Sequence, residues 1–336
     1  MEKIWLKHYP AGVPAELDVG QYRSLVELLE ESFKKYRDAI AYRFMGKTIS
    51  FGQVDDQSRA FAAYLQGLGL ERGDRVALMM PNVPQYPVAV AGVLRAGLVV
   101  VNVNPLYTPR ELEHQLKDSG AKAIVIVENF ATTLQKVIAN VPTKKVVVTA
   151  LGDMLGFPKS LIVNYVVRKV KKMVPAYDLP GAVAFNAALA QGRGKSVRAV
   201  QMGPDDIAVL QYTGGTTGLP KGAMLTHTNL RAAVEQFAES TRGEPPILIE
   251  GEERFLGVLP PFHIYALTVN MLFGLRLGAE LIQHSRFDPQ AALQDIAAKK
   301  VSVFCGVPTM FTALIDHPDT ARHDLRPPKY CRSRGA

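Results

Sequence analysis

The sequence predicts an α/β protein with mainly parallel, doubly wound sheets and flanking helices. Short apolar runs typical of buried strands alternate along the chain with longer segments whose apolar residues recur at helical spacing. Glycine-containing turns such as 69–73 separate the two kinds of segment. Repeated strand, helix, strand units indicate parallel strands joined by crossover helices.

The N-terminal half contains the clearest elements. Ser24 with Glu27, and Thr108 with Glu111, have the spacing of capping boxes, and Pro109 suits a first helical turn. Another helix is predicted over 54–68. The predicted strands are the runs RVALMM (75–80), LVVVNVN (98–104), AIVIV (123–127) and residues 146–149.

A second α/β unit is predicted from about Pro204. Residues 206–211 form its first strand, and a helix begins at Thr226 or Thr228. The strand-like runs FLGVLP and VSVFC follow. A chain of 336 residues exceeds the usual size of one domain, so we predict two subdomains, 1–203 and 204–325.

Composition limits the classes of function. The net charge is +8, but residues 326–336 hold four basic residues and no acidic one, which leaves +4 for the preceding 325 residues. Nucleic-acid binding is therefore not expected. Cys305 and Cys331 cannot form a disulfide framework, and the N-terminus lacks the apolar core of a signal peptide. We expect a cytoplasmic protein.

The most informative motif is YTGGTTGLPKG, Tyr212 to Gly222. Glycines let backbone N–H groups approach a polyphosphate, threonine hydroxyls add donors or a metal ligand, and Lys221 adds positive charge. The Walker spacing is absent, because Pro220 precedes the lysine and Gly222 replaces the hydroxyl residue. A P-loop NTPase is disfavoured, and the same run taken alone is also typical of a polar turn.

Residues 160–174, SLIVNYVVRKVKKMV, separate into an apolar face and a basic face at helical spacing. The segment is too short and too charged to span a bilayer. It suits a helix lying on an anionic membrane surface. A core helix with a solvated basic face explains the same pattern and is the commoner arrangement.

Three further segments, taken together with the loop motif, indicate a known family. They are AMLTHTNL, PPFHIYALT and the stretch RAGLVVVNVNPLYTPRELEHQLKDSGAKAIVIV, residues 95–127. With them, the chain resembles the adenylate-forming superfamily of acyl-CoA synthetases and luciferases, and within it bacterial long-chain fatty acyl-CoA synthetases. The likeness runs from the first residue to about Leu325 and implies the N-terminal domain of the acyl-adenylate-forming fold, here incomplete.

The resemblance implies activation of a long-chain fatty acid by ATP, through an acyl-adenylate, and transfer to coenzyme A. It makes Thr213 a ligand of Mg²⁺, and His263 a positioning or gating residue rather than a general base. His227 is expected to be structural. The residues implied to bind the β and γ phosphates are Gly214, Gly215, Thr216, Thr217, Gly218 and Lys221.

The resemblance also implies an apolar acyl pocket near His263 and near the segment GVPTMF. Ordinary core packing explains such residues equally well. The candidate lining residues are Tyr265, Leu267, Met271, Phe273, Val307, Met310 and Phe311. Family members are often dimers, so a homodimer is compatible with the sequence, although no residue identifies an interface.

After Leu325 the family pattern stops. The sequence RPPKYCRSRGA, residues 326–336, is expected to be a disordered or frame-shifted tail outside the family. The family's adenine-binding segment and its small C-terminal domain have no counterpart, so we expect little turnover from this polypeptide alone. Two alternatives remain: a ligase for another carboxylic acid, and a non-catalytic membrane-surface or ligand-binding fragment. Any peripheral contact of the cytoplasmic protein is expected on the inner face of the cell membrane.

Overall fold

A computed structural model of the protein describes residues 3–18, 20–213 and 220–334. The chain divides into two compact units. Unit 1 contains Met1–Gly52, Thr228–Pro261 and Tyr265–Ala336, and unit 2 contains Gln53–His227 and Phe262–Ile264. The predicted α/β architecture with mostly parallel sheets is confirmed.

The described residues form the following regular elements. The strands are β1 (Ile40–Phe44), β2 (Lys47–Ser50), β3 (Arg75–Met79), β4 (Val99–Asn102), β5 (Ala123–Val127), β6 (Lys145–Thr149), β7 (Val183–Ala184), β8 (Ile207–Thr213), β9 (Lys221–Thr226), β10 (Arg254–Gly257), β11 (Glu280–Gln283), β12 (Val303–Gly306) and β13 (Tyr330–Ser333). The α-helices are α1 (Leu25–Lys35), α2 (Phe51–Gly67), α3 (Gln85–Arg95), α4 (Pro109–Ser119), α5 (Ala131–Gln135), α6 (Lys159–Tyr165), α7 (Phe185–Gly192), α8 (His227–Arg242), α9 (Phe273–Leu277), α10 (Pro289–Lys299) and α11 (Pro308–Ile315).

Unit 2 is organised around a sheet that has seven strands among the described residues, in the order β7-β6-β5-β3-β4-β8-β9. Neighbouring strands are parallel except for β8 and β9. Every residue of β5 is buried, as in a parallel sheet covered on both faces by helices. Met79, Leu116, Ile126 and Tyr212 belong to one apolar cluster of this unit.

Unit 1 contains, within the described part of the chain, a six-stranded sheet in the order β13-β12-β10-β11-β1-β2. Only β1 and β2 are antiparallel, and they form a hairpin. Leu256, Ile282, Leu293 and Phe304 form an apolar cluster under α10 and α11. Helix α9 packs against α1 in the same unit.

The predicted helix starts are confirmed. The Ser24 hydroxyl accepts a hydrogen bond from the Glu27 N–H, and Thr108 with Glu111 makes both bonds of a capping box before α4. Helix α4 ends at Gly120, whose left-handed φ of 60° is easy for glycine. These local signals therefore fix both ends of α4.

The two units differ from the linear division at residue 203. Strand β8 pairs with β4, so it joins the sheet of unit 2 together with β9. Strand β1 pairs with β11, which places the first residues of the chain in unit 1. Strand pairing between distant segments decides to which unit each strand belongs, and local sequence patterns do not predict such pairing.

The expected disorder of the tail is wrong for Tyr330–Ser333. These residues form β13, parallel to β12, with Phe304 opposite Cys331. Two basic residues of the tail make contacts in unit 1. Lys329 pairs with Glu253 at 2.9 Å, and the Arg332 guanidinium lies 4.6 Å from the Phe237 ring centre. Backbone hydrogen bonds to β12 hold β13 at the edge of the described sheet, although the sequence of β13 has no apolar run.

Candidate functional site

The glycine loop lies between two antiparallel strands. Strand β8 ends at Thr213 and β9 begins at Lys221, and these two residues are opposite each other in the strand register. Both are exposed. Cross-strand partners project to the same face of a sheet. The Thr213 hydroxyl and the Lys221 ammonium group are thus neighbours where the loop leaves β8 and enters β9.

The remaining predicted phosphate-binding residues lie outside the described residues. These residues are Gly214, Gly215, Thr216, Thr217 and Gly218. Their roles, like those of Thr213 and Lys221, stay predictions.

Helix α4 contacts both sides of the loop. The Tyr212 hydroxyl donates to Asp118 Oδ2 at 2.5 Å, and His114 Nε2 lies 3.2 Å from the carbonyl oxygen of Pro220. His114 and Asp118 are one helical turn apart, so both project from one face of the helix. The same helix therefore positions the residue before the loop and the residue after it.

Tyr212 is held as a neutral phenol. Burial raises its pKa well above the ordinary value, and the hydrogen bond to Asp118 raises it further. The ring also explains Gly222, because a Cβ at that position would meet two Tyr212 ring atoms at 2.9 and 3.0 Å. Gly222 is thus required for the packing of the aromatic ring.

His263 is exposed, and its three-residue segment Phe262–Ile264 belongs to unit 2. The Gln211 side-chain amide donates to the Phe262 carbonyl at 3.1 Å. Gln211 lies in β8, two residues before Thr213. The structure therefore attaches the His263 segment to the strand that leads into the loop.

His227 is fully buried at the start of α8, and its N–H donates to the Asp206 carbonyl at 3.0 Å. This position agrees with the structural role expected for it. The pKa of Asp206 is lowered by the Gly203 N–H, and the Arg72 guanidinium adds to the effect. These contacts join His227 to the residues just before β8 within unit 2.

Three of the seven predicted acyl-pocket residues are core residues of unit 1, and the other four are partly buried. Leu267, Met271 and Phe273 are buried, and Phe273 packs its ring 5.8 Å from that of Phe255. Met310 and Phe311 are partly buried against the cluster under α10 and α11. Tyr265 and Val307 are half-buried. Their role in binding an acyl chain stays a prediction.

Residues 157–173, which we call the lysine-rich segment, differ from a core helix. Helix α6 has no buried residue, and the one-turn π-helix that follows, Val166–Val170, buries only Val167. The core-helix interpretation is therefore wrong. The exposed apolar residues are Phe157, Leu161, Ile162, Tyr165, Val170 and Met173, all at least half exposed.

The basic residues of the lysine-rich segment fall into two groups. Arg168 makes bonds of 2.7–3.0 Å to the carboxylate of Glu128, which is 3% exposed. This contact raises the pKa of Arg168. Lys159, Lys169, Lys171 and Lys172 are exposed. Arg168 is thus structural, whereas Lys169, Lys171 and Lys172 form a basic surface at the end of the segment.

The Mg²⁺ ligand predicted from the sequence is Thr213. Its hydroxyl is exposed, and it is an oxygen donor of the kind that Mg²⁺ accepts. Among the residues that the structure describes, no group of three or more His, Cys, Asp or Glu side chains could hold a metal ion. The Thr213 hydroxyl therefore fits the role of a single protein ligand, and this role stays a prediction.

Comparison with known families identifies the fold. A family model described as AMP-binding enzyme matches residues 29–336. The chain belongs to this family. The match includes the residues that sequence reasoning placed in a non-family tail.

Curated members of the AMP-binding family include close relatives of this chain. A long-chain-fatty-acid–CoA ligase of Escherichia coli O6:H1 is 49% identical over 328 residues, which are 97% of this chain and 58% of the relative. The ligase of Bacillus subtilis with the same name is 37% identical over 337 residues, 59% of its length. The chain thus spans less than two thirds of these relatives.

A solved structure has a similar fold. The long-chain-fatty-acid-CoA ligase of Archaeoglobus fulgidus superposes with a TM-score of 0.74 at 22% identity. The match covers 92% of this chain and 56% of that structure. At this identity the similarity supports the fold alone.

Sequence reasoning missed four polar residues that make hydrogen bonds in and beside β8 and at Pro220. Asn102 and Gln211 are polar residues inside otherwise apolar strands, and both are buried. Buried amides require hydrogen-bond partners, so their presence in such runs is a signal that could have been used. His114 and Asp118 carry no comparable signal, because polar residues on a helix are usually solvated.

Proposed function

We propose that this chain contains the ATP-binding part of a ligase that activates long-chain fatty acids. The pairing of Thr213 with Lys221 at the mouth of the loop carries the proposal. The identity to long-chain-fatty-acid–CoA ligases supports the substrate class. ATP, the fatty acid and coenzyme A are the proposed substrates.

The first step joins the acid to the nucleotide. A carboxylate oxygen of the fatty acid attacks the α-phosphorus of ATP, the bond to the bridging oxygen breaks, and pyrophosphate leaves. We assign Lys221, the first residue of β9, to neutralising charge on the departing phosphates. Magnesium, when bound at Thr213, would supply further charge neutralisation.

In the second step the sulfur of coenzyme A forms a bond to the acyl carbon. The bond to the adenylate oxygen breaks, AMP leaves, and the thiol proton passes to solvent or to a base. We assign His263 to positioning or gating of the acyl group. His263 is not needed as a general base in the first step, because the carboxylate of the fatty acid is already ionised at neutral pH.

Equilibrium binding of ATP with magnesium to the 336-residue chain tests the proposal. Lys221→Ala should weaken binding about 10- to 100-fold, the effect of losing one charged hydrogen bond. Lys145→Ala is the matched control, since Lys145 is also an exposed first residue of a strand in unit 2. Equal ATP affinity of Lys221→Ala and Lys145→Ala would contradict the assignment of the loop.

The substrate class needs a separate measurement. We expect pyrophosphate release by a polypeptide of the relatives' full length to increase from hexanoate to palmitate. Equal or higher release with benzoate would instead favour a ligase for another carboxylic acid. The ATP-binding result would stand in either case.

We further propose that the lysine-rich segment contacts an anionic membrane surface. Its exposed apolar side chains and the exposed Lys169, Lys171 and Lys172 match the apolar and the charged layers of a lipid interface. No helix among the described residues has the length and apolar character that a bilayer span requires. We propose a cytoplasmic location with peripheral binding to the membrane.

Vesicle flotation tests this contact. Changing Lys169, Lys171 and Lys172 to Glu should weaken binding to phosphatidylglycerol vesicles at least about 100-fold, given about 1 kcal/mol per basic residue. The control changes three exposed lysines elsewhere, Lys47, Lys145 and Lys195, to Glu. Equal loss in both triple variants would show that net charge alone drives binding. Binding unaffected by either variant would exclude this basic surface as the contact.

A further inference from the structure

A line of buried hydrogen bonds runs from the middle of unit 2 to the segment that carries His263. The Tyr86 hydroxyl donates to Asn102 Oδ1 at 2.6 Å, and Asn102 Nδ2 donates to Gln211 Oε1 at 3.0 Å. Gln211 Nε2 then donates to the Phe262 carbonyl at 3.1 Å. We call these residues the amide relay.

The side chains of the amide relay are shielded from water. Tyr86 is 0%, Asn102 3% and Gln211 7% exposed. A buried amide that loses its partner loses the bond without regaining one to water. The relay therefore strongly favours a single arrangement of its groups.

The direction of donation in the amide relay is fixed at its far end. The Phe262 carbonyl can only accept, so the Gln211 NH₂ group must face it and the Gln211 oxygen must face Asn102. The Asn102 NH₂ group then faces Gln211, and its oxygen accepts from Tyr86. Gln115 on α4 donates to the Asn102 backbone carbonyl at 2.7 Å, which holds this strand end in place.

The relay ends at an unusual position in the chain. Phe262–Ile264 belongs to unit 2, whereas Pro261 before it and Tyr265 after it belong to unit 1. The segment includes His263, whose side chain is exposed. Gln211, which holds this segment, lies two residues before Thr213 at the entrance of the glycine loop.

We propose that Gln211 is a positioning residue that holds His263 in register with the end of β8, and that Asn102 and Tyr86 orient its amide. Nucleotide binding at the loop is then transmitted to His263 through β8. This consequence for catalysis rests on the function proposed above, whereas the attachment of the segment does not.

Histidine imidazole resonances measured by NMR test the proposal in the 336-residue chain. The His263 signal is assigned by its loss in His263→Gln. Gln211→Met keeps the length of the side chain but removes both hydrogen bonds, so the His263 resonance should shift or broaden while the other histidine signals stay in place. Asn102→Ala keeps Gln211 but removes the hydrogen bond that orients its amide, so it should change the same signal. This variant replaces Gln211→Met in the test if Gln211→Met does not fold.

Gln85→Met is the matched control. Gln85 is also a fully buried amide of unit 2, and its Nε2 donates to Thr149 Oγ1 and the Ala150 carbonyl. Its replacement should destabilise the protein to a similar degree and leave the His263 resonance unchanged. An unchanged His263 signal in folded Gln211→Met, or an equal change in Gln85→Met, would overturn the proposal.

Addition of ATP with magnesium separates this inference from the function on which it rests. In the wild-type chain ATP should shift the His263 resonance, and in Gln211→Met ATP should still bind while that shift is lost. An undiminished ATP-induced shift in Gln211→Met would refute the coupling. Absence of ATP binding to the wild-type chain would refute the proposed function, but the comparison without ATP would still decide whether Gln211 positions His263.

Discussion

Helix α4 and the lysine-rich segment both belong to unit 2 and both have an amphipathic sequence. Helix α4 buries its apolar residues and directs His114, Gln115 and Asp118 to partners in the same unit. The lysine-rich segment instead leaves most of its apolar residues exposed. An amphipathic sequence thus predicts an apolar helix face. It does not predict whether that face packs against the rest of the protein, as in α4, or stays exposed, as in the lysine-rich segment.

Truncation of an apolar side chain in each region should give the largest contrast. Leu116→Ala in α4 removes a side chain that is 0% exposed, whereas Ile162→Ala in the lysine-rich segment removes one that is 59% exposed. We expect a loss of about 3 kcal/mol in the free energy of unfolding for Leu116→Ala. Ile162→Ala should change it by less than about 0.5 kcal/mol. Urea unfolding measures both, and equal losses would remove the distinction.

The basic residues of the lysine-rich segment should divide in the same way. Arg168→Ala leaves the buried Glu128 carboxylate without its partner, and since Arg168 is itself half exposed we expect a cost of about 2 kcal/mol. The neighbouring exposed residue serves as control, because Lys169→Ala should stay within about 0.5 kcal/mol of the wild type. Thermal unfolding at matched pH and salt is the measurement. Similar midpoints for the two variants would show that the Arg168 pair is not structural.

A smaller effect is expected from the hydroxyl that joins α4 to β8. Tyr212→Phe removes the bond to Asp118 but keeps the ring, so the free energy of unfolding should fall by about 1 kcal/mol. Tyr165→Phe changes an exposed tyrosine of the lysine-rich segment and should have no effect. A stability of Tyr212→Phe indistinguishable from that of Tyr165→Phe would show that solvent replaces Asp118 without loss.

The contact between His114 of α4 and Pro220, just before β9, should have the smallest effect. His114→Phe removes the bond to the Pro220 carbonyl and should weaken ATP binding about threefold, the lower range for a neutral hydrogen bond. His8→Phe, at an exposed position of unit 1, is the control. Calorimetric titration with ATP and magnesium measures both. Unchanged affinity in His114→Phe would limit α4 to a role in stability.

Local features of this fold could be predicted from the sequence. The capping boxes at Ser24 and Thr108 and the apolar strands 75–79 and 123–127 depend on neighbouring residues alone. The loop motif also predicts a phosphate site, because its residue types have a direct chemical use, and this assignment stays a prediction. Its antiparallel frame could not be predicted in the same way, since β9 breaks the otherwise parallel pattern of the sheet.

Contacts between distant residues account for what was missed. Asp118 and Tyr212 are 94 residues apart, and His114 and Pro220 are 106 apart, so no local pattern relates them. The partner of Arg168, Glu128, is 40 residues away, and it turns a residue of the predicted basic face into a structural one. Strand β13 was missed because backbone pairing with β12, rather than an apolar run, defines it.

The close approach of Gly222 to the Tyr212 ring has a consequence for evolution. Any larger residue at position 222 would meet the ring, so a substitution there would be accepted only after the aromatic side chain at 212 had been reduced in size. The two positions should therefore covary among homologous chains, with a small residue at one whenever an aromatic residue occupies the other. Their order of change during divergence would also be constrained, because the intermediate with two large residues could not pack.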